Sequence, residues 1–160
     1  MYSIKELFKI GNGPSSSHTI GPLEASKEFL KRYPDVEEVK VILYGSLALT
    51  GRGHLTDYII EKTLLPIPCH IEFDIHTTME HPNTMIFNGY KNGTLVGSMK
   101  VFSIGGGAIQ IAGEPEYILK KIYKLNTYKD ISSYCKKEKI SLAEYVDSVE
   151  GKEIDSYIET

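Results

Sequence analysis

The spacing of apolar and polar positions changes several times along this chain, and each change marks an element. Residues 4–9 (IKELFK) read as a short helix, closed by Gly11-Asn12-Gly13-Pro14, a cluster that cannot continue regular structure. From about His18 to Tyr33 the apolar positions Ile20, Leu23, Leu30 and Tyr33 recur at helical spacing, with Glu24, Lys27, Glu28 and Lys31 between them. Pro22 has no amide hydrogen and fits only where that hydrogen would be unpaired, so the helix begins a few residues before it. Residues 36–43 (VEEVKVIL) predict a strand, and a glycine-rich segment, GSLALTGRGHLTD, follows. Residues 57–65 predict a helix stopped by Pro66 and Pro68. Residues 69–76, 84–90 and 94–103 alternate apolar with polar, which predicts three strands, the last two joined by a type I′ turn at Asn92-Gly93. Residues 105–112 and 116–123 read as further strands. Residues 127–137 and 141–150 return to helical spacing, with Ser141 and Glu144 placed for a capping box. The sum is an α+β fold in which about four mostly antiparallel strands carry packed helices. Residues 1–160 are expected to form a single domain with a helical C-terminal tail.

Composition narrows the function classes. With 160 residues, 41% of them hydrophobic, the chain can bury a core of its own. Its 18 basic and 21 acidic residues are mixed along the chain, so no basic field invites nucleic acid or anionic lipid. The N-terminus has no apolar run of signal-peptide length, and no span nears the roughly 18 apolar residues of a membrane helix. A cytoplasmic protein is the expectation. Cys69 and Cys135 are far apart and outside any CxxC pattern, so neither a disulfide framework nor a zinc site is indicated.

The candidate chemistry lies in three polar segments. Gly13-Pro14-Ser15-Ser16-Ser17-His18-Thr19 sets four hydroxyls and an imidazole just before a helix, where amide hydrogens and the helix dipole favour an anion. The plainer reading is a serine-rich cap. His18 is the one side chain there that exchanges a proton near neutral pH, and the helix end would hold it neutral. Gly51-Arg52-Gly53-His54-Leu55-Thr56-Asp57 offers an imidazole, a hydroxyl and a carboxylate, or simply a loop ending in a helix cap. Residues 76–84 place His81 and Asn83 near a turn, where loops hold ligand-contacting groups and where proline and asparagine also serve turn geometry alone. Ser103-Ile104-Gly105-Gly106-Gly107-Ala108 has neither dinucleotide-fingerprint nor P-loop spacing and reads as a sharp reversal or bulge.

Taken together and in order, GPSSSHTIGP, GSLALTGRGHLTD, EHPNTMIF and SIGGGAI resemble the beta subunit, or beta domain, of iron-sulfur-dependent L-serine dehydratases. The resemblance implies an enzyme subunit that turns L-serine into pyruvate and ammonia, inactive alone. It implies an alpha-subunit partner whose three cysteines hold a [4Fe-4S] cluster, since two unclustered cysteines cannot hold a cubane. Ser15, Ser16, Ser17, Thr19, His81 and Asn83 would then contact the substrate, and His18 would take the Cα proton. His54, Thr56 and Asp57 would support the site, with no metal ligand in this chain. Leu55 and Thr84 stand where many members have glycine. The resemblance also implies a fold like the allosteric-substrate-binding domain of some D-3-phosphoglycerate dehydrogenases. The residues after the last motif leave no room for a complete ACT domain. A homodimer of beta chains is compatible with this reading. The alternative is a stand-alone module that binds a small anion or amino acid without catalysis.

Overall fold

The computed structural model describes residues 1–8, 15–116 and 118–159, and the chain divides into two compact units. The expected stop at Gly11–Pro14 therefore falls outside the described residues.

The larger unit, within residues 11–117, is an α+β sheet domain. After α1 (Ile4–Leu7) of the smaller unit come α2 (Ile20–Arg32), β1 (Glu38–Tyr44), α3 (Gly45–Thr50), a 3-10 turn (Gly51–His54) and α4 (Thr56–Leu64). Then follow β2 (Cys69–Asp74), β3 (Thr84–Lys91), β4 (Thr94–Gly105) and β5 (Ala108–Ile111). The strand order is β2-β1-β3-β4-β5. β1 pairs with β2 in parallel, and every other pair is antiparallel. The parallel pair is a consequence of connection length. α3, the turn and α4 carry the chain back across one face before β2 begins, which a tight hairpin could not do. At the β3–β4 hairpin Asn92 and Gly93 both have positive φ, 49° and 73°, the backbone that a type I′ turn demands.

One face of the sheet is the core. Val39, Val41, Leu43, Met85, Phe87 and Val101 are fully buried with Ala25 and Phe29 of α2 and Ile60 and Leu64 of α4. Phe29 stacks on Phe87 with ring centroids 5.4 Å apart. The alternate residues Ile42, Ile86 and Lys100 form a half-buried row on the other face, so the period-two pattern divides a dry face from a wetter one.

The smaller unit joins residues 1–10 to residues 118–160. It contains α1, α5 (Tyr128–Glu138), α6 (Leu142–Glu150) and α7 (Glu153–Ile158) around buried Tyr123, Ile131, Cys135, Tyr145 and Ile154. Ser141 and Glu144 form the expected capping box at the start of α6. The Glu150 carboxylate accepts hydrogen bonds from Ser3 Oγ (2.6 Å), the Ile4 amide (2.7 Å) and Tyr123 Oη (2.8 Å). Burial raises the pKa of Glu150, but these donors outweigh it and hold the group below its ordinary value.

One expectation is corrected: the strand expected across residues 116–123 is not formed among the described residues, where an isolated bridge joins Lys121 to Tyr2. Two helices were not foreseen, α7 and α3, the latter forming where Ser46 to Thr50 bury Leu47 and Ala48.

The two-faced sheet makes a direct prediction. Phe87→Ala removes a ring from the dry face and should cost about 3–5 kcal/mol, while Ile86→Ala on the half-buried face should cost markedly less. Urea unfolding followed by circular dichroism measures both, and equal losses would mean that the core has been assigned to the wrong face.

Candidate functional site

The sequence sets the position of His18 through the turn that precedes α2. The Ser15 carbonyl accepts hydrogen bonds from the amides of His18 (3.1 Å) and Thr19 (2.9 Å), and from Thr19 Oγ1 (2.7 Å). The Ser16 carbonyl takes the Gly21 amide at 2.9 Å. The turn thus pairs the amides of His18, Thr19 and Gly21 with its own carbonyls, and Pro22 has no amide hydrogen to offer. Beside them it presents side chains, with Ser15, Ser16 and Ser17 half-buried around a His18 that is only 8% exposed.

The imidazole is held on both sides by hydroxyls. Nδ1 lies 3.1 Å from Ser15 Oγ and 3.0 Å from Ser17 Oγ, while Nε2 lies 3.0 Å from Thr50 Oγ1 and 3.3 Å from Ser46 Oγ. With the Thr50 hydroxyl hydrogen placed on the Ser46 carbonyl at 2.8 Å, the matching arrangement has the Nε2 hydrogen toward Thr50 and the Nδ1 lone pair toward Ser15 or Ser17. Thr56 Oγ1, fully buried at the start of α4, donates to the His18 carbonyl at 2.7 Å. Burial lowers the pKa of His18; a hydrogen bond to the Ser46 backbone opposes this, and neighbouring His54 adds to the lowering. The imidazole is therefore neutral at physiological pH and able to accept a proton.

His54 stands with its ring centroid 4.7 Å from that of His18, and its Nδ1 donates to the Thr50 carbonyl at 3.0 Å. Asp57 is not drawn into the cluster; its carboxylate accepts from the neighbouring Tyr58 amide at 3.0 Å, in the first turn of α4.

His81 and Asn83 form a second group, linked to the first through α3. The Ser46 amide donates to the Pro82 carbonyl at 2.7 Å, so Ser46 touches His18 with its hydroxyl and the residue 81–83 turn with its backbone. Gly45 makes this approach feasible. It has φ +55°, and a Cβ there would lie 2.4 Å from the Pro82 oxygen, so no other residue fits without displacing the turn. His81 Nδ1 accepts from the Asn83 amide at 3.1 Å, and Asn83 Nδ2 lies 3.4 Å from the Ser103 carbonyl. Asn83 Oδ1 and Ser103 Oγ are buried and have no hydrogen-bond partner among the described residues. Ser103 presses on the first turn of α2, where a Cβ added to Gly21 would come within 2.1 Å of its hydroxyl oxygen.

The structure therefore gathers Ser15, Ser17, His18, Thr19, His54 and Thr56 at one point, joins His81 and Asn83 to them through Ser46, and leaves Asp57 aside. Ser16 contributes its carbonyl to the turn. Ser46, Thr50 and Ser103 escaped the sequence reading. Ser46 and Thr50 were legible in principle, since hydroxyls four residues apart share one face of a helix once that helix is foreseen. Among the described residues no group of three or more His, Cys, Asp or Glu side chains could hold a metal. Cys69 does not suit a thiolate ligand either, because burial pushes its thiol up to about 12. The residues present do not fit an iron–sulfur cluster.

These features define an α+β domain with a buried, hydroxyl-bound histidine at one end of its sheet. The family model for the serine dehydratase beta chain matches residues 3–67, which include His18 with its hydroxyl partners and the three elements that follow β1. An L-serine dehydratase of Helicobacter pylori (strain J99) is 32% identical over 192 positions, covering 91% of this chain and 42% of the relative. L-serine dehydratase 2 of Escherichia coli is 31% identical over 189 positions, covering 89% of this chain and 42% of the relative. A Haemophilus influenzae L-serine dehydratase is 42% identical over 82 positions, 47% of this chain and 18% of the relative. The chain belongs to the serine dehydratase beta-chain family. It spans less than half the length of these relatives.

The neutral state of His18 carries a pH signature. Its folded pKa lies below the ordinary value of about 6.5, so below that pH the unfolded chain takes up a proton that the folded chain resists, and stability falls on acidification. The urea midpoint should drop between pH 8 and pH 5, and the drop should be smaller in His18→Gln. An equal drop in both proteins would show that His18 does not contribute.

Proposed function

We propose that this chain is the beta portion of an L-serine dehydratase, acting in the cytoplasm with an alpha subunit that carries a [4Fe-4S] cluster, and converting L-serine to pyruvate and ammonia. The observation that carries this reading is the setting of His18: a buried imidazole between the hydroxyls of Ser15 and Ser17 on one side and of Ser46 and Thr50 on the other, within the stretch the family model matches.

In this reading the chain's own residues do the following. His18 Nδ1 receives the Cα proton of serine, directly once a serine hydroxyl yields its place or through that hydroxyl. Thr50 holds Nε2–H and thereby keeps Nδ1 the basic nitrogen, in the way a carboxylate orients the histidine of a hydrolytic triad. Ser15, Ser16 and Ser17 supply hydroxyls for the substrate carboxylate, while Thr19, expected from the sequence to join them, gives its hydroxyl hydrogen to the Ser15 carbonyl and holds the turn. Asn83 Oδ1, an acceptor without a partner, suits the substrate ammonium, with His81 fixing the turn that presents it. Thr56 holds the His18 backbone, while His54 and Asp57 support the segment. The alpha subunit's cluster would supply an iron that acts as Lewis acid on the β-hydroxyl. Loss of the Cα proton and the β-hydroxyl as water, followed by addition of water at the imine, yields pyruvate and ammonia.

The chain co-expressed anaerobically with an alpha subunit should form pyruvate from serine, whereas the chain alone should not. His18→Asn should lower kcat by about 10²-fold or more with the complex intact. Thr50→Val should lower kcat less and shift the acid limb of its pH profile, as expected of a positioning residue. Absence of serine-dependent pyruvate from the assembled pair would overturn the proposal, and tight serine binding by the isolated chain would favour a binding module instead.

A further inference from the structure

The groups that touch His18 sit on three consecutive elements, α3, the 3-10 turn and α4, and these same elements turn large apolar side chains outward. Leu49 is 69% exposed, Leu55 54% and Tyr58 51%. Leu49 adjoins Thr50, and Leu55 lies between His54 and Thr56. Single exposed apolar residues are ordinary, but three within residues 49–58, beside a buried polar site, are not scattered. Arg52 is exposed in the same stretch, its guanidinium 4.7 Å from the Phe73 ring centroid. Tyr58 and Arg52, exposed with these leucines within one ten-residue stretch of sequence, are of the residue types enriched at interface centres.

Leu55 adds an independent argument. Its φ is +62° and ψ 29°, the left-handed region in which a side chain with a Cβ is disfavoured and glycine is not. It is half-exposed there, so within this chain the strained backbone is not repaid by full burial of the side chain. A residue that costs stability in the free chain and projects an apolar side chain into solvent has its gain in a contact made elsewhere. More than half the length of the relatives lies outside the region this chain matches, so the dehydratase reading pairs this domain with a larger alpha portion.

We infer that Leu49, Leu55 and Tyr58 form the docking surface for the alpha subunit, and that docking there closes the His18 site from solvent. The inference rests on the dehydratase reading but can fail separately from it. In the test, the chain and a tagged alpha subunit are co-expressed anaerobically. Affinity of the purified partners, pyruvate formation by the pair, and the melting temperature of the free chain are then measured for wild type, Leu55→Gly, Leu49→Ser and, as control, Leu95→Ser. Leu95 is 52% exposed beside the β3–β4 turn, at the opposite end of the sheet. Leu55→Gly should leave the melting temperature of the free chain unchanged or raised, yet weaken pairing roughly tenfold or more. Leu49→Ser should also weaken pairing, and the control should change neither quantity. An active pair whose affinity ignores both substitutions overturns the surface while sparing the functional reading. A lowered melting temperature in Leu55→Gly overturns it too, by showing that the contact lies inside the chain. A wild-type pair that neither associates nor forms pyruvate overturns both.

Discussion

The site depends on a hydrogen-bond constraint at a single imidazole. The Thr50 hydroxyl is bonded to the Ser46 carbonyl, and in that arrangement it faces His18 as an acceptor, with Nε2–H toward Thr50 and Nδ1 toward the serines. That polarity holds only while α3 keeps its helical turn, because the Thr50 to Ser46 bond is a bond of that turn. α3 keeps its place because Gly45 allows the backbone to rest against Pro82. A histidine in one loop is thus oriented by a short helix, and that helix by a turn between β2 and β3.

Burial makes the arrangement chemical rather than merely structural. An exposed imidazole would titrate in the ordinary range and compete with water for its partners. With His18 at 8% exposure its charged form is penalised, and its neighbours are hydroxyls that accept or donate as needed. The fold achieves this with a helix-start turn that pairs the His18, Thr19 and Gly21 amides with its own carbonyls and sets hydroxyls around the ring.

Much of this was legible in the residues. The period-two runs marked β1 to β4, Asn92-Gly93 marked the hairpin, and Ser141 with Glu144 marked α6, because each is a local preference that packing did not override. His18 with Ser15 and Ser17 was legible because hydroxyls clustered beside an imidazole are unusual. Ser46, Thr50 and Ser103 were not. The glycines around the GSLALT segment mask a helix whose formation depends on burying Leu47 and Ala48, a tertiary fact. Ser103 belongs to the site only because β4 runs beside β3 in a register that brings it opposite Asn83, and register is not a property of either strand alone. The parallel pairing of β2 was hidden for the same reason.

The Glu150 carboxylate, bound to Ser3 Oγ and the Ile4 amide, has a consequence for synthesis. The smaller unit is written in two parts, with the sheet domain inserted between them. Ser3 and Ile4 precede Glu150 by 147 and 146 residues, so on the ribosome these bonds form only after the whole sheet domain has been made.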